Sequence, residues 1–162
     1  MDSYASLTGI ITGITPEGSG SLYGCSQLLS IQTDKGMANA VIGPSTYVLN
    51  SYPLSAGQTV SVFYDSGAPM PLIYPPRYQA LAAAPLRNGQ TAVLDYFDEN
   101  LENPAHTLRL NIAASTVAVT PNGQYFAGPL ENRPLLAVYT ASTRSIPAVT
   151  SPEQIVAFCG RE

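Results

Sequence analysis

Apolar residues in this chain return at every second position, and only over short runs. Thr59 to Asp65 reads T-V-S-V-F-Y-D, which sets Val60, Val62 and Tyr64 on one face directly behind the turn residue Gly57. Alternation of period two is the mark of a half-buried strand. Leu29, Ile31 and Thr33 alternate up to Asp34-Lys35-Gly36, a hairpin signal in which the glycine can take a positive φ, and Ala38, Ala40 and Ile42 alternate beyond it. With Leu7 to Ile14 in front and Tyr78 to Ala84 behind, the first half is predicted to hold five strands. No window of eleven or more residues keeps helical spacing without a Gly, Pro or β-branched interruption, so little helix is predicted.

The second half repeats the order. Thr91 to Phe97 opens it; Leu108, Leu110 and Ile112 alternate; Val117 and Val119 follow; Pro121-Asn122-Gly123 marks a hairpin; Leu135, Ala137 and Tyr139 alternate, and Ile155, Ala157 and Cys159 close. Laying Val60–Ala84 over Leu135–Cys159 without a gap matches Tyr64 with Tyr139, Gln79 with Gln154 and Ala82 with Ala157. Short strands in this order, with a hairpin between the second and third and a strongly alternating fourth, fit a small Greek-key barrel of the OB type. The expected fold is therefore all-β: two tandem five-stranded OB-like barrels packed together and sharing core, residues 1–86 and 87–162, joined by the short link Pro85 to Gln90. Gly43 to Ala56 contains Pro44 and Pro53 and is expected to form no helix between the third and fourth strands. The alternative architecture is one β-sandwich made from the same strands.

Three stretches of the first half, "LSAGQTVSVFYD", "PLIYPPRY" and "QALAAA", follow one another as a glycine-led fourth strand, a proline–tyrosine break and a short last strand. In this the chain resembles uncharacterised small OB-fold proteins of Gram-positive bacteria, over Thr8 to Ala84. The second half matches that pattern less well, with Val149 where Tyr74 stands in the first. The resemblance implies the fold and carries no activity with it.

The break itself, Pro69, Pro71, Pro75 and Pro76 with Tyr64, Tyr74 and Tyr78 around them, suits a barrel corner. Proline leaves no amide unpaired where a ladder ends, and a stiff extended connection costs little entropy to order. The same residues could instead form a recognition surface at a barrel mouth, with Tyr64, Tyr74, Arg77 and Tyr78 as the candidate ligand-binding set.

Composition narrows the field mainly by exclusion. Of 162 residues 45% are hydrophobic, enough for a core throughout, and only 11% are charged, so the surface must be built from Ser, Thr, Asn, Gln and the ten tyrosines. A surface so poor in charge resists association weakly, which points to a homodimer. The net charge is −4 and Lys35 is the single lysine among scattered arginines, which argues against a nucleic-acid partner. Neither a secretion signal nor a membrane-spanning run is visible, so a cytoplasmic protein is expected, with no membrane partner. Cys25 and Cys159 form no metal-type pair and are expected to be buried thiols.

Chemistry-bearing groups are few. His106 is the only histidine, in a loop entering a strand; "GSGSLYG" has glycines but neither the lysine nor the helix of a phosphate cradle. Asp95, Asp98, Glu99 and Glu102 gather within eight positions, yet lack the order of a calcium loop and are expected to be a solvated rim. No catalytic residue, metal or cofactor is assigned. The chain is expected to be a non-catalytic binding or assembly module that associates with itself, the alternative being a small-ligand or oligosaccharide site at the tyrosine-lined mouth.

Overall fold

A computed structural model describes residues 3–159, and the chain divides into two compact units, Met1–Arg87 and Asn88–Glu162. Both are all-β; the only helical segments among the described residues are two single 3-10 turns, Gly20–Leu22 and Leu49–Ser51.

The first unit runs β1 (Tyr4–Glu17), β2 (Ser26–Thr33), β3 (Gly36–Ile42), β4 (Tyr47–Val48), β5 (Thr59–Asp65), β6 (Arg77–Gln79) and β7 (Ala82–Leu86). They form one seven-stranded sheet in the order β4-β7-β5-β1-β2-β3-β6. β1 is long enough to serve two partners: Tyr4–Ile10 pairs β5 and Gly9–Glu17 pairs β2, both antiparallel, with a register shift between Ile11 and Gly13. Gly9 sits where both ladders overlap, and a Cβ there would lie 2.3 Å from the Gln32 carbonyl oxygen, so only glycine lets the strands close up. The period-two faces behave as their spacing requires: Ile11, Leu29, Ile31, Ala40, Val60 and Val62 form one buried cluster. At the β2–β3 hairpin the Thr33 hydroxyl accepts the Lys35 amide at 3.1 Å and donates to the Gly36 carbonyl at 2.7 Å, while Gly36 takes φ 117°.

The expected closed barrel is corrected at one place. The stretch read as a single last strand, Tyr78 to Ala84, is two: β6 runs parallel to β3 at one end of the sheet, and β7 runs antiparallel to β5 near the other. Between them the Ala80 amide donates to the Val41 carbonyl of β3 at 3.1 Å and the Leu81 amide to the Phe63 carbonyl of β5 at 2.7 Å. The chain leaves one partner and joins the other within two residues, which interrupts the ladder, and no sheet closes into a barrel.

The second unit runs β8 (Thr91–Phe97), β9 (Leu108–Leu110), β10 (Val117–Val119), β11 (Arg133–Tyr139), β12 (Ala148–Thr150) and β13 (Gln154–Ala157). Four form the sheet β10-β13-β11-β8; β12 and β9 pair separately. Ile112 and Cys159 fall outside the strands assigned to them by alternation. Phe97, Leu108, Leu110, Leu135, Ala137 and Ile155 make its core. The hairpin at Pro121-Asn122-Gly123 forms, with Gly123 at φ 87°, but its return strand is one bridge, Val119 to Tyr125.

Four pairings recur with the same sense. β1–β5 and β8–β11 are antiparallel, as are β5–β7 and β11–β13; β4–β7 and β10–β13 are parallel, as are β3–β6 and β9–β12. The stations correspond atom by atom: Leu81 N–H meets the Phe63 carbonyl as Glu153 N–H meets the Val138 carbonyl, and Tyr47 N–H meets the Leu81 carbonyl as Val117 N–H meets that of Glu153. This geometry corrects the gapless overlay. Tyr64 and Tyr139 keep the same place, but Ala82 corresponds to Gln154 and not to Ala157, because the second unit's connection is three residues shorter. The place of β2 is taken by residues 101–103, held to β9 by Leu110 N–H to the Leu101 carbonyl and Asn103 N–H to the Leu108 carbonyl.

Candidate functional site

The break between β5 and β6 builds a cleft of about 430 Å³ on the first unit, lined by Tyr64, Asp65, Arg77, Tyr78, Gln79 and Leu81 together with Ala68–Pro71. Each side chain is there for a local reason. Tyr64 and Asp65 end β5, where the ladder to β1 runs out; Arg77, Tyr78 and Gln79 are the three residues of β6; Leu81 is the residue at which the chain crosses to β5. The Tyr64 and Tyr78 rings lie with centroids 4.3 Å apart, tilted by 38°. Burial pushes the Tyr64 phenol above the usual tyrosine range, and the charge and hydrogen bond of Tyr78 push it further the same way.

Arg77 is held by two parallel bonds, Nη2 to Glu17 Oε1 at 2.6 Å and Nη1 to Glu17 Oε2 at 3.1 Å. A planar guanidinium bound at both ends of its fork is oriented more firmly than a single contact allows. Glu17 closes β1, sixty residues earlier in the chain, and no local pattern marks it. Asp65 Oδ1 accepts the Gly67 amide at 2.9 Å, which turns the chain out of β5. Of the four residues singled out by sequence, Tyr64, Arg77 and Tyr78 share the cleft. Tyr74 does not line it: its ring is exposed, and its hydroxyl stands 3.1 Å from where a Cβ on Gly36 would be, over the β2–β3 hairpin. Next to Tyr74, Leu72 is fully exposed and Ile73 more than half so.

Cys25 and Cys159 are both exposed free thiols, which corrects the expectation of burial: each lies in irregular chain just outside a strand and not on the alternating inward face of one. Cys159 accepts a long contact of 3.8 Å from Arg133 Nη1, and the Arg133 guanidinium rests 4.8 Å over the Phe126 ring. His106 is exposed, its Nδ1 2.7 Å from Glu102 Oε1. In the acidic segment Asp98 Oδ1 accepts the Asn100 and Glu102 amides at 2.8 and 3.1 Å, so this carboxylate shapes the turn. Asp95 is half-buried, which raises its pKa above the usual carboxylate range, against the lowering effect of the Tyr96 amide and the Asn103 side chain. Buried Asn103, which sequence reasoning passed over, organises this connection: its Oδ1 accepts the Thr107 and Leu108 amides and its Nδ2 donates to the Thr107 hydroxyl. Among the described residues no group of three His, Cys, Asp or Glu side chains is placed to hold a metal ion, and no helix is long and apolar enough to cross a membrane.

No protein-family model and no curated protein matches this chain.

Proposed function

We propose that this protein is a non-catalytic binding module, cytoplasmic, made of one OB-like fold used twice, and that its first unit takes a small ligand with a flat apolar face and a hydrogen-bonding edge, a sugar ring of a short oligosaccharide. The fold reading draws its support from the four recurring pairings and from the two-residue passage at Ala80–Leu81, which links both ends of the sheet as one kinked strand would. The cytoplasmic reading draws on two exposed thiols left unpaired, as a reducing compartment leaves them.

The observation that carries the ligand reading is the tyrosine pair beside a clamped guanidinium in one cleft of about 430 Å³. Cavities of roughly 300–1,000 Å³ with an apolar lining and a few convergent polar groups are the usual form of small-ligand sites. Tyrosine supplies the flat face, and Asp65, Arg77 and Gln79 supply the edge contacts. A phosphate track is not supported, since the one guanidinium at the cleft is matched by Glu17. Titration of the isotope-labelled protein with maltotriose is expected to shift the amide resonances of Tyr64 to Ala68 and Arg77 to Leu81 in a saturable way. Tyr78→Ala should abolish those shifts; unmoved resonances at millimolar sugar would refute the reading.

Self-association is a second reading, favoured by one feature: Met70, Leu72, Ile73 and Tyr74 are exposed within an eleven-residue stretch, Ser66 to Pro76, that has no charged residue. Apolar surface of this kind marks interaction sites.

A further inference from the structure

The second unit has a cleft of its own at the corresponding station, about 420 Å³, between the end of β11 and β12. Its lining runs from Thr140 to Thr143 and from Val149 to Ser151, with Glu153 in the place that Leu81 holds in the first unit. Its chemistry is the reverse of the first. Among the described residues its lining has no aromatic ring and no cationic side chain; hydroxyls and one carboxylate provide its polar side-chain groups. Tyr139, the counterpart of Tyr64, packs against the core of its unit instead.

The hydroxyl protons of the three threonines are already assigned. Thr140 donates its proton to Glu153. Thr150 donates to the Ala141 carbonyl at 2.5 Å. Ser145 donates to the Pro147 carbonyl at 2.8 Å, so in the 2.6 Å contact of Thr143 with Ser145 the proton is that of Thr143. Thr143 Oγ1 also accepts the Val149 amide, Ser151 Oγ accepts Asn111 Nδ2 at 3.3 Å, and Glu153 Oε2 accepts Gln90 Nε2 at 2.9 Å. What the threonine oxygens retain is lone pairs, while the Ser151 hydroxyl keeps a proton of its own. Threonine oxygens whose protons are spent, beside a carboxylate, disfavour an anion and select a ligand that brings its own donors. The acceptors are spread across two strand ends and not focused on one point, which matches several hydroxyl donors on a carbon frame better than a single ammonium.

We propose that this cleft is a binding site for an uncharged polyhydroxylated ligand, recognised through its hydroxyl protons and not through a flat face. The proposal stands on the second unit alone and is independent of the tyrosine cleft. The probe that separates the two is sorbitol, an open-chain polyol with no ring to stack on tyrosine. In an amide-resonance titration of the full chain, sorbitol should shift Thr143, Val149 and Ser151 saturably at millimolar concentration and leave Tyr64 and Tyr78 unmoved. Thr140→Val and Ser151→Ala each remove one acceptor, and each should weaken binding about fivefold, the size of one net hydrogen bond. Tyr78→Ala should change nothing here. Both substitutions lie at exposed positions, and retained dispersion of the core amides would certify the fold of each variant. Absence of saturation, equal affinity in both variants, or saturation by putrescine at lower concentration than by sorbitol would each overturn the proposal.

Discussion

Two residues show how a single atom decides local structure here. Gly9 has no room for a side chain, since a Cβ would meet the Gln32 carbonyl oxygen at 2.3 Å. Because the obstacle is backbone and cannot rotate away, Gly9→Ala is expected to cost about 1–3 kcal/mol, the usual range for overpacking, read as a lower denaturation midpoint. An unchanged midpoint would mean that β1 and β2 can separate at no cost. Tyr64 is the second case. Its pKa is raised in the folded state, as are those of Tyr47 and Tyr139, in each case chiefly by burial. A raised folded value means that the neutral phenol is favoured by folding. That stability is complete below the ordinary tyrosine pKa and is lost as pH rises through the folded one. Alkaline titration followed by tyrosinate absorbance should therefore show a late-ionising group of phenols, and Tyr64→Phe should flatten the loss of stability in the alkaline window. Neither effect was legible in the sequence, because period two says which face a residue is on and nothing about how close the next strand comes.

At the scale of elements, the same device anchors the last strand in both units. The Thr46 hydroxyl accepts the Gly43 amide and donates to the Ala80 carbonyl at 2.8 Å; the Thr116 hydroxyl accepts the Ala113 amide and donates to the Pro152 carbonyl at 2.7 Å. One side chain thus closes a turn and fixes the point where the chain enters β7 or β13. Replacing Thr116 by Val keeps the shape and removes both bonds, with an expected cost of about 1–3 kcal/mol and faster hydrogen exchange at Val117 and Glu153. Equal exchange rates in the variant would show that the strand is held by pairing alone. The hairpin at Asp34-Lys35-Gly36 and the strands β3, β5, β8 and β11 were readable as continuous alternation. β4, β6 and β12 are only two or three residues long, too short for a period of their own to be seen, and the segment 101–103, which holds one bridge from Glu102 to Arg109, is ordered by a single asparagine, Asn103. The cleft inherits this division: Tyr64 and Tyr78 stood out as aromatic, whereas Glu17 reaches the site only through its side-chain pairing with Arg77, from the last residue of the long β1.

For the whole molecule, the exposed apolar residues of the first unit and the low charge predict concentration-dependent association. Light scattering over a dilution series should show a dimer that Leu72→Asp returns to monomer; a monomer at every concentration would remove the second functional reading. The sequence by itself determined the all-β class of fold and the order of the long strands. Those follow from the spacing of apolar side chains along each strand, a property of near neighbours that survives without knowledge of the partner. Tertiary structure alone decided the split of the last strand, the pairing of Arg77 with Glu17, the exposure of both cysteines and the opposite chemistry of the two clefts. Each of these depends on which residues distant in sequence come within hydrogen-bonding distance, and an alternating pattern places no constraint on that.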